Sequence, residues 1–234
     1  MIICLETATA LCSVALCDKT GAIALRESNE GKSHASLLTV FINDLLKKAG
    51  IKTNELDAVA VSKGPGSYTG LRIGVSAAKG IAYASSIPLI GVETTLSMFY
   101  GFSAEAKKKY RITHDDLFCP VLDARRMEVY YSIFDLNGKS IRSIRAEIMD
   151  KNSFCDFPES RRIFFFGDGA AKCKEVIKRK NIVFDDNFRI SASYMYGPAY
   201  ESFTAHRFED IAYFEPFYLK DFLTSKPVKN ILGK

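Results

Sequence analysis

Two hydrophobic rhythms run along the chain. Leu37, Leu38, Phe41, Ile42, Leu45 and Leu46 recur at three- and four-residue intervals, which lines them up on one stripe of a helix. Ser33 can cap its start and Gly50 can end it, so an amphipathic helix is predicted over 33–50. Elsewhere the apolar runs are short and continuous: Ile2-Ile3-Cys4-Leu5, Ala58-Val59-Ala60-Val61, Pro88-Leu89-Ile90-Gly91-Val92 and Ile163-Phe164-Phe165-Phe166. Such runs suit strands buried on both faces. Further helices are expected from about Leu71 to Ser85, from Ala170 through Ile177, and over Pro198 to Tyr213 with proline in the first turn. The β-α-β order calls for a right-handed crossover.

The first segment reads strand, acidic turn at Glu6, strand Cys12 to Cys17, then the hairpin Asp18-Lys19-Thr20-Gly21. Halfway along, the chain repeats the phrase with Pro120-Val121-Leu122, Asp123, a strand Val129 to Phe134 and Asp135-Leu136-Asn137-Gly138. Glu6 maps to Asp123, Asp18 to Asp135 and Gly21 to Gly138, each displaced by 117 positions. Turn aspartates and glycines are ordinary in any tight hairpin, so the weight lies on the shared register. Two related α/β lobes, each a mixed sheet flanked by helices, point to the actin-like, sugar-kinase and heat-shock ATPase superfold. The charged stretch from Lys107 to Asp116 places a boundary between a partner-binding lobe 1–110 and a second lobe 111–234. The last helix, about 198–213, is a candidate to pack back on the first lobe.

At 234 residues and 47% hydrophobic, the chain can bury the cores of two compact lobes. No apolar run approaches the roughly 18–20 residues of a membrane-spanning helix. The N-terminus lacks the basic head of a secretory signal, so a cytoplasmic location is expected. Six cysteines without a C-x-x-C pair read as free thiols, and three histidines (His34, His114, His206) are too dispersed for a local ligand motif; no metal or other cofactor is expected. The net charge of +5 is mild, with basic runs at Lys107–Arg111 and Lys172–Lys180 that suit solvated faces or an RNA backbone.

The stretch Gly64-Pro65-Gly66-Ser67-Tyr68-Thr69-Gly70-Leu71-Arg72 lies between a buried strand and a helix, where phosphates are often held. Its spacing misses G-x-G-x-x-G, no lysine follows as in a P-loop, and Pro65 removes a donor. Gly64, Gly66 and Gly70 are therefore read as shaping a turn. Nucleotide-using members of the superfold are expected to read Asp-x-Gly at the first acidic turn, where this chain reads Glu6-Thr7-Ala8. Glu6 and Asp123 either face each other across a cleft or cap backbone groups in their own turns.

The helix after the glycine loop is rich in small residues, among them Gly74, Ala77, Ala78, Gly80 and Ala82, which permit close approach of either the lobe's own sheet or a partner. Arg72, Lys79 and Tyr83 fall on its other faces. Gly74, Val75 and Ala78 join those three as candidate partner contacts, together with His34, Leu37, Phe41 and Leu45 from the preceding helix. No catalytic, cofactor-binding or metal-binding residue is assigned.

Taken together, Glu6-Thr7-Ala8-Thr9, Gly64 to Gly74, Ala78-Lys79-Gly80, Asp123-Ala124-Arg125-Arg126-Met127-Glu128-Val129-Tyr130 and Pro216-Phe217-Tyr218-Leu219-Lys220 resemble the TsaB (YeaZ) family of tRNA threonylcarbamoyladenosine biosynthesis proteins. The resemblance spans nearly the whole chain. It implies an actin-like two-lobed fold and a cytosolic, non-catalytic role supporting a catalytic paralogue, TsaD, together with an ATPase, TsaE. It further implies contact with tRNA through the complex; separately, the helix surface of the first lobe could pair two copies of this chain as a homodimer when the partner is absent. In the register of the catalytic paralogue, Thr94 and Met98 stand where metal-binding histidines would be, and neither suits such an ion. Two departures are Lys220, where the family usually has arginine, and Glu6, where many members have aspartate. The competing reading is an enzyme on this fold, either a phosphotransferase or a metallopeptidase.

Overall fold

A computed structural model describes residues 1–29 and 34–219, so the expected cap at Ser33 and the departure at Lys220 lie outside the described residues. The first sheet is built from β1 (Ile2–Glu6), β2 (Cys12–Asp18), β3 (Gly21–Ser28), β4 (Ala58–Gly64) and β5 (Leu89–Glu93) in the order β3-β2-β1-β4-β5. The second comprises β6 (Leu117–Asp123), β7 (Glu128–Phe134), β8 (Ser140–Ile148), β9 (Ile163–Phe166) and β10 (Ile182–Asp185) in the order β8-β7-β6-β9-β10. Both orders are the same once β6 is read as β1. In each, the opening strand pairs antiparallel with the next and parallel with the strand after the hairpin.

The repeat extends to individual hydrogen bonds. Glu6 accepts the amide N–H of Ala8 at 2.6 Å and Asp123 accepts that of Arg125 at 2.7 Å. At the hairpins, Asp18 accepts from Thr20 at 2.8 Å and Asp135 from Asn137 at 2.9 Å. Each carboxylate satisfies the backbone donor two residues on, the way short acidic side chains stabilise turns.

Alternation decides which layer covers each face. Ile3, Leu5, Val14, Leu16, Val59 and Val61 turn to one side of the first sheet, against α1 (His34–Ala49) and α2 (Tyr68–Ser85). Ile2, Cys4, Ala15, Ala58 and Ala60 turn to the other, where they meet Ala192 and Met195 of a 3-10 turn and Ala199 of α5 (Tyr196–Thr204). The chain's late residues thus finish the core of its first sheet. Helix α3 (Thr94–Lys109) leaves β5 and packs Met98, Phe99 and Phe102 on Phe118, Phe164 and Phe166 of the second sheet. The opposite face of that sheet is closed by Cys173 of α4 (Ala170–Val176) and by Met149 and Phe154.

Helix α3 was not legible as a helix, because buried Thr94, Thr95 and Ser97 interrupt the apolar stripe in its first turn. The last helix is shorter than the expected 198–213. It ends at Thr204, His206 turns into the left-handed region at φ 52°, and Glu209 donates its N–H to the carbonyl of Leu89 at 2.9 Å. Pairing with the free edge of β5 competes with continued helix there, and the segment that follows becomes a strap along lobe one. Helix α2 begins earlier than Leu71, so Gly70 lies in its first turn rather than in a loop.

Candidate partner interface and cleft

The acidic turn and the glycine stretch form one packed unit. Ser67 caps α2 by accepting the N–H of Gly70 at 3.2 Å, and its own N–H donates to the carbonyl of Ala8 at 2.6 Å. Thr7 donates its N–H to Ser62 at 3.4 Å. A Cβ added at Gly66 would stand 2.7 Å from that of Ala8, and one at Gly70 or Gly74 would collide with Thr7. On the far side, a Cβ at Gly64 would lie 2.6 Å from the carbonyl oxygen of Phe217. The bare faces of these glycines are filled by the chain's own backbone and by Thr7.

Glu6 is fully buried, and desolvation pushes its carboxyl from 4.5 up to about 7, against the hydrogen bonds that favour the charged form. Its Oε2 has no hydrogen-bond partner among the described residues, nor do the hydroxyls of Thr7, Thr94 and Ser97. Asp123 is exposed and paired with Lys172 at 2.5 Å, and Lys172 also donates to the carbonyls of Arg126 and Glu128. The two carboxylates serve separate turns, each capping backbone. Thr94 and Met98 are buried, the latter among the phenylalanines on α3. Among the described residues, no group of three or more His, Cys, Asp or Glu is placed to hold a metal ion. Five cysteines are buried and Cys155 is exposed, all as free thiols.

The candidate contacts separate into two sets. Leu45, Gly74, Val75 and Ala78 are buried against the chain's own sheet, which corrects their reading as partner contacts. The small-residue stripe exists because α2 sits close over Thr7 and Val61, and a partner cannot reach it. His34, Leu37 and Phe41 are half-buried, Arg72 is exposed and Tyr83 is 80% exposed. Sequence reasoning missed Val40, 49% exposed, and the half-buried Ile73, Ala77 and Ile81. With Leu37 and Phe41, these give α1 and α2 an apolar outer rim around the buried stripe.

Arg72 and Lys79 have a local task. Arg72 donates from Nε to the hydroxyl of Tyr218 at 3.1 Å, and its guanidinium lies 4.1 Å from the centroid of the Tyr68 ring. Lys79 donates to the carbonyls of Ala212 and Phe214 at 3.2 and 3.0 Å. Phe217 donates its N–H to the carbonyl of Lys63 at 2.6 Å. Together they bind the strap to α2 and β4. The Pro216-Phe217-Tyr218 block was the sequence's trace of this contact, although nothing in its spacing says which helix it meets.

Residues 28–214 match the family model described as TsaD: tRNA N6-adenosine threonylcarbamoyltransferase. The chain belongs to the TsaD family, in its TsaB (YeaZ) branch. The tRNA threonylcarbamoyladenosine biosynthesis protein TsaB of Haemophilus influenzae is 25% identical over 96% of this chain and 95% of that protein. TsaB of Escherichia coli is 34% identical over 58% of this chain, a match spanning 57% of the E. coli protein's length. The solved structure of YeaZ from Pseudomonas aeruginosa superposes with a TM-score of 0.80 at 24% identity, covering 93% of this chain and 99% of that one, and bears on the fold alone. In this TsaB-branch fold, the glycine stretch of lobe one is packed against Thr7, Ala8 and Phe217 of the same chain. The outer side of α1 and α2 is left apolar at its rim.

Proposed function

We propose that the chain is the non-catalytic partner subunit of the machinery that builds threonylcarbamoyladenosine beside the tRNA anticodon. In this reading it works in the cytoplasm, pairs a lobe spanning 1–110 with a catalytic relative of the TsaD type, and acts beside the ATPase TsaE. The observation that carries the reading is the packed unit of glycine loop and acidic turn, in which Thr7, Ala8 and Phe217 lie against the bare faces of Gly64, Gly66, Gly70 and Gly74, so these glycines serve the chain's own packing. Thr94 and Met98, buried and of the wrong chemistry for a metal site, support it further.

The outer rim of α1 and α2 supplies a surface for such a partner: Leu37, Val40, Phe41, Ile73 and Ile81, flanked by Tyr83. A related lobe could lay its own helix pair against this face, and two copies of this chain could do the same when the relative is absent. The decisive experiment is co-purification with the catalytic relative, followed by an assay for modified adenosine in tRNA. Omitting this chain should abolish product. Full modification without it, or ATP turnover by this chain alone, would overturn the reading in favour of an enzyme.

A further inference from the structure

A cluster of basic residues lies at one end of the second sheet, where β6, β9 and β10 begin. Three segments meet there. Arg162 binds Asp116 through Nε at 2.9 Å and Nη2 at 2.6 Å, and Nη2 also donates to the carbonyl of Arg111 at 2.7 Å. Arg161 donates from Nε to the carbonyl of Asp115 at 3.0 Å. Arg179 donates to the carbonyls of Phe154 and Phe157 at 2.8 and 2.7 Å, and Asn181 ties that segment to the carbonyl of Arg161 at 2.8 Å. Lys107, Lys108, Arg111 and Lys180 stand exposed around them.

Two features set this end apart from an ordinary solvated face. Arg161 and Arg179 are fixed by main-chain carbonyls rather than by carboxylates, so they keep their charge while their side chains are already ordered. Lysines in the last turn of α3 also complement its dipole, but that accounts for only one of the three segments. In addition, none of the large apolar side chains exposed among the described residues falls in 105–116, 157–162 or 177–182. A protein interface of any strength carries an apolar centre, and a membrane-surface patch carries an apolar face. A surface with ordered cations and no exposed large apolar group suits a phosphate backbone.

We infer that this end of the second sheet receives the phosphate backbone of an RNA, with Lys107, Lys108, Arg111 and Arg161 as its principal contacts. The inference rests on the proposed role in tRNA modification and adds which lobe and which edge the RNA meets. Binding there is electrostatic and independent of base sequence, so it positions the RNA while recognition of the modified adenosine lies elsewhere in the assembly.

The test titrates unmodified tRNA against the full-length chain alone, and against its complex with the catalytic relative, at a series of salt concentrations. The variant is Lys107→Glu/Lys108→Glu/Arg111→Glu, and the charge-matched control is Lys19→Glu/Lys139→Glu/Lys151→Glu, all at exposed positions. The inference expects the first triple to lose at least about tenfold in affinity, with a salt slope shallower by about 2, since each lost phosphate contact removes roughly 0.7–0.9. Circular dichroism and co-purification with the relative should be unchanged, and the control should move affinity less than about twofold. Unchanged affinity and slope in the first triple would overturn the inference, as would an equal loss in the control. Failure to pair with the relative would count against the proposed function instead, while the titration of the chain alone would still decide where RNA binds.

Discussion

Glu6 and Asp123, 117 residues apart, make the same hydrogen bond: each carboxylate accepts the amide N–H of the residue two positions on. Their surroundings differ sharply. Glu6 is fully buried with one oxygen unpartnered, whereas Asp123 is exposed and neutralised by Lys172. One turn geometry, duplicated, sits buried in one lobe and at the surface in the other.

Glu6 should make stability fall as pH rises. Its folded carboxyl titrates near 7 against 4.5 for the free group, so the native state holds the proton that the unfolded chain has lost. The contribution is fully present below about 4.5, declines between about 4.5 and 7 and is absent above, a span worth on the order of 3 kcal/mol. Asp116 acts oppositely. Burial pushes its carboxyl up, but Arg162 and the Thr113 N–H outweigh this and hold it below its ordinary value, so its contribution is lost as pH falls through the acid range. Urea unfolding from pH 5 to 8 should show declining stability in the parent chain, and Glu6→Gln should flatten that decline.

Two glycines on one helix should respond in opposite directions. Gly74→Ala drives a methyl group into Thr7 and close to Val61, and should cost roughly 1–3 kcal/mol by overpacking. Gly80 has open space around its Cβ position, so Gly80→Ala should stabilise by about 0.5–1 kcal/mol. Thermal or chemical denaturation of both variants checks the sign of each.

Removing the ammonium of Lys79 should loosen the strap without unfolding the lobe. Lys79→Met leaves the carbonyls of Ala212 and Phe214 without their donor and should cost roughly 1 kcal/mol. Hydrogen exchange should rise in residues 208–218 first, with the strands of both sheets unchanged.

The apolar rim should tolerate charge in the isolated chain and reject it in the complex. Val40→Asp with Tyr83→Asp alters the exposed large apolar side chains of α1 and α2, 49% and 80% accessible, so circular dichroism should be retained. Affinity for the catalytic relative should fall at least about tenfold, or about 1.4 kcal/mol. A folded double variant with unchanged affinity would place the partner surface elsewhere.

Much of the architecture was legible because it depends on local patterns. The continuous runs at Ile2–Leu5, Ala58–Val61 and Ile163–Phe166 became central strands, and the displaced acidic turns marked two equivalent sheets. What was hidden depends on which surfaces meet at long range. The small residues of α2 were equally compatible with a partner and with the chain's own sheet, and only the close approach to Thr7 decides for the sheet. Arg72 read as a candidate partner contact, and its bond to Tyr218 was invisible because Tyr218 is 146 residues away and no local rhythm connects them. Helix α3 was hidden because its buried hydroxyls look like a break in an apolar stripe.

Lobe one takes its finishing parts from the end of the chain: Ala192, Met195 and Ala199 under one face of the sheet, Phe214 in the opposite core, and Tyr218 over the first turn of α2. During translation these pieces emerge roughly a hundred residues after β5, which at about 5–20 residues per second means a wait of several seconds. Until then the sheet lacks one cover and α2 lacks its strap. The first lobe therefore reaches its full packing only once residues 192–218 have been made, so its first sheet folds in two stages separated by the synthesis of the entire second sheet.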